Sequence, residues 1–359
     1  MLFVLLAFLV GCPFAPRTEP TDGLRLILDG LDSNRLLMVD VASGASRDLA
    51  PGLLADAIIT ASRSKARAYL RFRRPNGGAR GLLAVDGSSG QVLWSKEAAT
   101  YSSVESIALS PDEGSLIVCR ATVGGVEGLG ILDEATGNLT QFVANAPCRH
   151  VLVIAASARH PAGALVLLGR RDLAVQRSDS LFIMDLSTNA VTDSLRVPDT
   201  GRLVGWVGAP AGDALIFGTD LNLWKYDLNM KAMVAQARRP PLALGAITYS
   251  PTKNRLLLSE SGVSFDVAGS GQVYEYDLSL RETRRVSLVG AVPEGTPAIL
   301  GSVLEPQDGR YLVLGTGTAR RGPLFGVQPA RVLILDASTY KLVKRLDLND
   351  WGTPWAWPW

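Results

Sequence analysis

The chain has 359 residues, of which 47% are hydrophobic and 19% charged, with a formal net charge of +2, two histidines and three cysteines. This apolar balance excludes a disordered chain, whose few hydrophobics could not offset the entropy lost on ordering. A charge near zero, with no polybasic run carrying interleaved aromatics, excludes nucleic acid as the expected partner.

At the N-terminus, Leu2 to Val10 form an apolar run. It is too short to span a bilayer, which takes about 20 residues, and has the length of a signal-peptide core. The run ends in Leu9-Val10-Gly11-Cys12, which resembles the bacterial lipobox, where small residues precede a cysteine that is lipidated on its thiol. The resemblance implies a signal peptide over residues 1–11, a lipid on Cys12 and a tether over 12–23 bearing proline, threonine and glutamate. A single acyl chain anchors marginally, whereas the several chains of a lipoprotein hold permanently. The basic residues expected before the run are missing, and an ordinary cleavable signal with an incidental cysteine is the alternative. Proline at position 13, in place of aspartate, points by analogy with enterobacterial sorting to the outer membrane. The expected location is therefore the bacterial cell envelope, with the membrane as a partner through the lipid.

From residue 24 onward one pattern recurs: a short apolar run, an aspartate, a few turn residues and an alternating strand. It reads LLMVDVASG at Asp40, LLAVDGSSG at Asp86, LGILDEATG at Asp133, LFIMDLSTN at Asp185, LWKYDLNMK at Asp227, VYEYDLSLR at Asp277 and VLILDASTY at Asp336. The seven aspartates are spaced 42 to 59 residues apart, which suits a four-stranded sheet unit repeated radially. Each is read as a turn-maker: the carboxylate accepts backbone N–H groups a little further on, and a glycine or asparagine closes the turn in the left-handed conformation.

A second marker precedes most of these aspartates, in IALSPDEGSLIV (107–118), WVGAPAGDALIF (206–217), ITYSPTKNRLLL (247–258) and SVLEPQDGRYLV (302–313). Here a strand breaks near a proline, turns through polar residues and re-enters as the next strand. IITASRSKARAYL and VIAASARHPAGALVLL occupy the same place in two other units. Each unit thus reads as strands a, b, c and d, with the proline at the a–b turn and the aspartate at the c–d turn. The first unit breaks the rule, because LRLILDG (24–30) reads as strand b with only tether before it. The closing WGTPWAWPW (351–359) would supply the absent strand a and close the ring, with Trp355, Trp357 and Trp359 alternating to one side. An exposed aromatic tail, suited to a membrane interface or a sugar, is the alternative.

Seven such units resemble the seven-bladed β-propellers of the tryptophan–aspartate-repeat, YVTN and quinoprotein-like superfamilies. VDGSSGQVLW (85–94) is similar to one quinoprotein-type repeat. The resemblance implies an all-β, seven-bladed propeller over residues 24–359, built of four-stranded antiparallel blades and closed by a C-terminal inner strand in the first blade. Only one unit carries the tryptophan of that quinoprotein-type repeat, so no cofactor is expected, and the chain is expected to be a monomer. A lipidated propeller in the envelope also resembles the accessory lipoprotein of outer-membrane protein assembly.

No zinc-ligand spacing, Cys-x-x-Cys pair, nucleophile elbow or P-loop is present in the sequence. His160 falls in the a–b turn ARHPAG and is expected to be solvated, while His150 is expected to be structural. Asp56, Glu105 and Glu305 lie near inner strands, and a lactonase or lyase-type enzyme with a central metal is the alternative function. In a propeller the b–c loops and d–a links share one end, and arginines gather there: Arg73 and Arg74 in RFRRPNGGAR, Arg170 and Arg171 in GRRDLAVQR, Arg320 and Arg321 in GTARRGPLFGVQPAR. Guanidinium clusters suit bidentate recognition of carboxylate or phosphate, so that face is the expected site for an envelope protein or anionic ligand. Solubilising loop arginines are the bland alternative. Cys119 and Cys148 map to the same end, and an oxidising envelope would permit them to pair.

Replacing Cys12 by serine is expected to abolish incorporation of labelled fatty acid and to release the protein from the membrane fraction; unchanged partitioning would rule out the lipid anchor.

Overall fold

The computed structural model describes residues 25–30, 36–62, 64–74, 80–169, 180–199, 203, 205–219, 221–240, 247–259, 272–288, 299–305, 309–316, 330–348 and 351–355. These form seven four-stranded antiparallel sheets arranged as a ring of blades. Blade 2 shows the pattern: strand a is Leu54–Ser62, b Arg67–Arg73, c Arg80–Asp86 and d Val92–Glu97. The a strands approach one another in order around the axis, and the d strands form the rim.

In blade 1, strands b, c and d are Arg25–Gly30, Leu36–Asp40 and Ser46–Asp48. Its fourth strand is Trp351–Trp355, which lies antiparallel to strand b with Ile27 opposite Trp355 and Gly30 opposite Trp351. Trp357 and Trp359, which the sequence reading also placed on this strand, lie outside the described residues.

The b and c strands read as nearly unbroken apolar runs because both faces of each blade are covered. Side chains alternate, so one strand serves two interfaces. In blade 3, strand b (Ser115–Val123) sends Leu116 and Val118 toward blade 2 and Ile117 and Cys119 toward blade 4. Seven buried clusters result, each shared by two adjacent blades. One of them packs Leu26, Leu37 and Val39 of blade 1 against Tyr311, Val313, Val332 and Ile334 of blade 7. The last sheet therefore meets the first through its side-chain core, whatever the C-terminal strand adds.

The seven repeat aspartates all sit at the c–d turn and accept hydrogen bonds there. Asp40 takes them from the N–H and hydroxyl of Ser43, Asp86 from those of Ser89, and Asp133 from those of Thr136. Asp185 and Asp336 each bind two successive hydroxyl residues, Ser187 and Thr188, and Ser338 and Thr339. Asp227 and Asp277 accept backbone N–H groups alone, from Asn229 and Met230 and from Ser279 and Arg281. In six blades the c–d ladder slips by one residue just before this turn, for instance between Ala84 and Val85. Such a bulge raises the local twist and aims the carboxylate at the turn.

The turn closes on a left-handed residue in every blade, but not always on glycine or asparagine. Gly44, Gly90, Gly137 and Asn189 match that expectation, whereas Lys231, Leu280 and Tyr340 also carry a positive φ. For the last two, packing compensates the strain. Leu280 is buried between blades 5 and 6, and Tyr340 is buried with the Lys253 ammonium 4.0 Å from its ring centroid.

The hydrogen bonds hold the carboxylates of Asp40, Asp86, Asp133, Asp185 and Asp336 below their ordinary pKa. For Asp40 and Asp86 the backbone N–H of Ser43 or Ser89 is the largest cause, and for Asp133 it is the Thr136 hydroxyl. The Ser338 hydroxyl leads in holding Asp336 down to about 2. A depressed carboxylate stabilises the fold fully above its unfolded value of 3.8 and loses that contribution as pH falls through the folded value. Accordingly, Asp86→Ala should lower stability by about 1 kcal/mol at neutral pH. In denaturant melts this deficit should shrink as pH falls below 3.8, and a deficit independent of pH would contradict the assigned role.

Candidate binding face

Because the strands of a blade alternate in direction, the b–c loops and d–a links gather at one end of the ring and the a–b and c–d turns at the other. The second end is tied together by buried polar contacts that the sequence reading missed. Glu134, which follows the turn aspartate of blade 3, is buried and reaches back to blade 2. It accepts hydrogen bonds from Lys65 and Arg67, at 2.7 Å each, and from the Tyr69 hydroxyl. Trp94 donates its indole N–H to the Glu134 carbonyl at 3.0 Å, so the tryptophan of the quinoprotein-like repeat serves packing between blades. Glu275, Lys253 and Tyr340 make a similar tie between blades 6 and 7.

His160 corrects an expectation. It is buried at 3% exposure, with Nδ1 2.8 Å from Oδ2 of Asp185, and is not a solvated turn residue. Besides the Ser187 hydroxyl, the imidazole is the next cause of the strong depression of Asp185. His150 is exposed at the start of its inner strand, His150–Ile154.

Cys119, on strand b of blade 3, is bonded to Cys148 in the link to blade 4, with Cα atoms 5.2 Å apart. Both are buried in the cluster between those blades.

Of the three candidate metal carboxylates, Glu105 and Glu305 stand at opposite ends of the ring, and the side chain of Asp56 lies outside the described residues. Glu105 immediately precedes the inner strand Ser106–Leu109, at the d–a end, whereas Glu305 immediately follows the inner strand Ile299–Leu304, at the a–b end. Glu105 is bridged by Arg120 and lies 3.4 Å from Arg149; Glu305 is buried and accepts from the Thr252 hydroxyl. Asp56 is the third residue of strand a in blade 2. Among the described residues no three histidine, cysteine, aspartate or glutamate side chains are grouped to hold a metal ion.

At the b–c and d–a end, Arg170, Arg171, Arg320 and Arg321 lie outside the described residues. Arg73 ends strand b of blade 2 and Arg74 follows it. The two project to opposite sides of the sheet. Arg74 forms a forked ion pair with Glu97, its Nε lying 2.9 and 3.0 Å from the two carboxylate oxygens. That hydrogen bonding lowers the pKa of Glu97 and raises that of Arg74. Arg120 is held between Glu127 and Glu105, and Arg149 shares Glu105.

Arg73 belongs to another group. Arg71 and Arg73 occupy alternate positions with Tyr69, whose side faces blade 3, and Arg73 lies directly opposite Arg80 in the b–c ladder. Arg71 donates to the carbonyl of Val104 in the link to blade 3. The side assignment is therefore observed twice, by parity and by contact. Among the described residues neither Arg73 nor Arg80 has a carboxylate partner, and Arg73 Nε is buried without a hydrogen-bond acceptor.

A disulfide closing a 29-residue separation constrains the unfolded chain by roughly 3–4 kcal/mol. The Cys119→Ala, Cys148→Ala variant is therefore expected to be less stable by about 3 kcal/mol, and non-reducing peptide mapping of protein made in an oxidising compartment should recover the cross-linked pair. Two free thiols in such protein would dismiss the bridge.

The sequence matches no protein-family model and no curated protein. Among solved structures 1131 chains match, a breadth expected of an architecture shared by unrelated functions. One is dihydro-heme d1 dehydrogenase NirN in complex with DHE, which is 16% identical with a TM-score of 0.53, the match covering 97% of this chain and 78% of that one. At that identity the likeness speaks for architecture and not for chemistry. Ring of blades, inter-blade cores and structural neighbour together establish the chain as a seven-bladed β-propeller.

Proposed function

We propose that this propeller is a binding or scaffolding module, held at a bacterial envelope by a lipid on Cys12, which offers its b–c and d–a end to an anionic or acidic protein partner. The observation that carries this reading is the placement of Arg73 directly opposite Arg80, beside Arg71, with no carboxylate set against the facing pair among the described residues. Like charges directly opposite in a ladder destabilise it, so the juxtaposition works against the fold and in favour of an anion from outside. The two ends of the ring also differ in a way that suits the reading. One is consolidated by seven hydrogen-bonded turns and the Glu134 and Glu275 ties; the other carries the longer connections, and loops on a rigid scaffold are where binding residues concentrate.

The reading of a metal-dependent lactonase or lyase draws less support, because Glu105 and Glu305 stand at opposite ends of the inner strands.

Cross-linking with mass spectrometry in the native envelope tests the proposal. Wild-type protein should yield a discrete partner whose cross-links map to the b–c and d–a end. A variant with Arg73, Arg74, Arg170, Arg171, Arg320 and Arg321 changed to glutamate should lose those cross-links at least about tenfold, the equivalent of one strong charge-assisted contact. Cross-links that persist in the variant, or that map to the turn end, would overturn the binding face.

A further inference from the structure

At most blade junctions a side chain of one blade donates to a carbonyl in the c–d turn of the next, one or two residues past the turn aspartate. Arg47 donates to Ser88 at 3.2 Å, Trp94 to Glu134 at 3.0 Å, Lys225 to Leu278 at 3.2 Å and Arg284 to Ser338 at 3.1 Å. Lys344 donates to Ala42, which carries the rule from blade 7 to blade 1. Arg159 reaches two carbonyls of blade 5, Leu228 at 2.7 Å and Asn229 at 2.8 Å. The junction between blades 3 and 4 is the exception. Its corresponding carbonyls, those of Leu186 and Ser187, receive no side-chain donor among the described residues.

The reason lies in strand register. Arg47, Trp94, Arg284 and Lys344 all stand at one place in strand d, opposite Met38, Ala84, Glu275 and Ile334 of strand c. In strand d of blade 3 (Leu139–Ala144) that place, opposite Ile131, belongs to Gln141, whose Oε1 accepts from the Asn189 side chain at 3.0 Å. Strand b is also smaller there: Ser115 and Ile117 stand where blade 2 has Arg67 and Tyr69. The space left is a cavity of about 600 Å³, within the usual range for small-ligand sites. Ile117, Ile131 and Leu186 give it an apolar wall, and Asp112 and Gln141 are exposed at its mouth. Asp112 accepts from the Ser110 hydroxyl at 2.5 Å and the Gly114 N–H at 3.0 Å. These bonds, the hydroxyl first, hold its carboxyl below the ordinary value. Lys65 and Arg67, the cations of the adjoining a–b turn, are taken by Glu134, and Asp112 forms no ion pair among the described residues.

We infer that the cavity between blades 3 and 4 binds an organic cation, a primary ammonium or guanidinium on a short aliphatic stem. Its head takes the place that Arg47, Arg284 and Lys344 fill elsewhere in the ring, donating to the Leu186 or Ser187 carbonyl beside the Asp112 carboxylate. Its stem covers Ile117, Ile131 and Leu186, as the stems of long basic side chains cover apolar surface. A free amine and a basic side chain of another protein share this chemistry. The site lies at the end of the ring opposite the arginine-bearing face, so it goes beyond the reading of that face and stands or falls separately.

Calorimetric titration of the purified full chain with butylguanidinium at low salt tests the site. Saturable binding is expected below about 10 mM, with affinity for butylurea, the neutral isostere, at least about tenfold weaker. Asp112→Asn, which keeps an acceptor for the Gly114 N–H, should lose at least about tenfold in affinity. Gln141→Lys reproduces the pairing of Lys344 with Ile334 and supplies the missing donor from within the chain. It should lose binding by at least about tenfold while melting no lower than wild type, which separates occupation of the cavity from misfolding. A capped Gly-Arg-Gly peptide then distinguishes the sources. Affinity equal to or above that of butylguanidinium assigns the cation to a basic side chain of a partner, and weaker or no peptide binding assigns it to a free amine. No saturation up to about 10 mM, equal affinity for butylurea, or undiminished binding in both variants would each overturn the inference.

Discussion

The structure depends on sheets that bury both faces. No blade is stable alone, since its b and c strands are apolar on alternate residues in both directions, and each apolar side is covered only when a neighbour stands against it. Seven interfaces for seven blades is the condition under which none is left open, and packing of Leu26, Leu37 and Val39 on Val313 and Ile334 supplies the last one. Register is correspondingly strict. A slip of one residue in strand b of blade 3 would exchange Leu116 and Val118 with Ile117 and Cys119, misfitting two interfaces at once.

With strand order and register held by packing, the two ends of the ring are free to take different roles. The a–b and c–d end is short-looped and cross-tied. Each turn aspartate closes its own hairpin, Glu134 carries buried charge contacts from blade 3 to blade 2, and Glu275, paired with Lys253 in its own blade, accepts the Tyr340 hydroxyl of the next. These contacts specify geometry more than they add stability, because removing two charges from water offsets much of their attraction. The other end carries the disulfide between Cys119 and Cys148, the Arg120 and Arg149 contacts with Glu105, and the arginine group of blade 2. A propeller scaffold fixes where such loops stand without dictating what they bind.

The features legible in advance were those whose causes are local in the chain. The seven turn aspartates were readable because the groups they bind lie within four residues. The blade boundaries followed from the same markers together with the prolines at Pro111, Pro210 and Pro251, each of which falls in an a–b turn. His160 was misread for the converse reason. Its partner, Asp185, is 25 residues away, and a histidine in a polar turn looks solvated until the neighbouring strand is in place. The contact between Lys65 and Glu134 spans 69 residues and two blades, and nothing in either local stretch marks it.

By itself, then, the sequence determined the all-β class, the number of repeats, the turn at the end of each c strand and the end of the ring on which each loop falls, because period and turn chemistry act over a few residues. Only the tertiary structure decided which arginines are neutralised and which stand together. Arg73 and Arg74 are adjacent in the chain and were read as equivalent; the pleat sends one toward Arg71 and Arg80 and the other to Glu97. That difference arises from strand register and from the packing of blade on blade, which bring together residues that no local pattern connects.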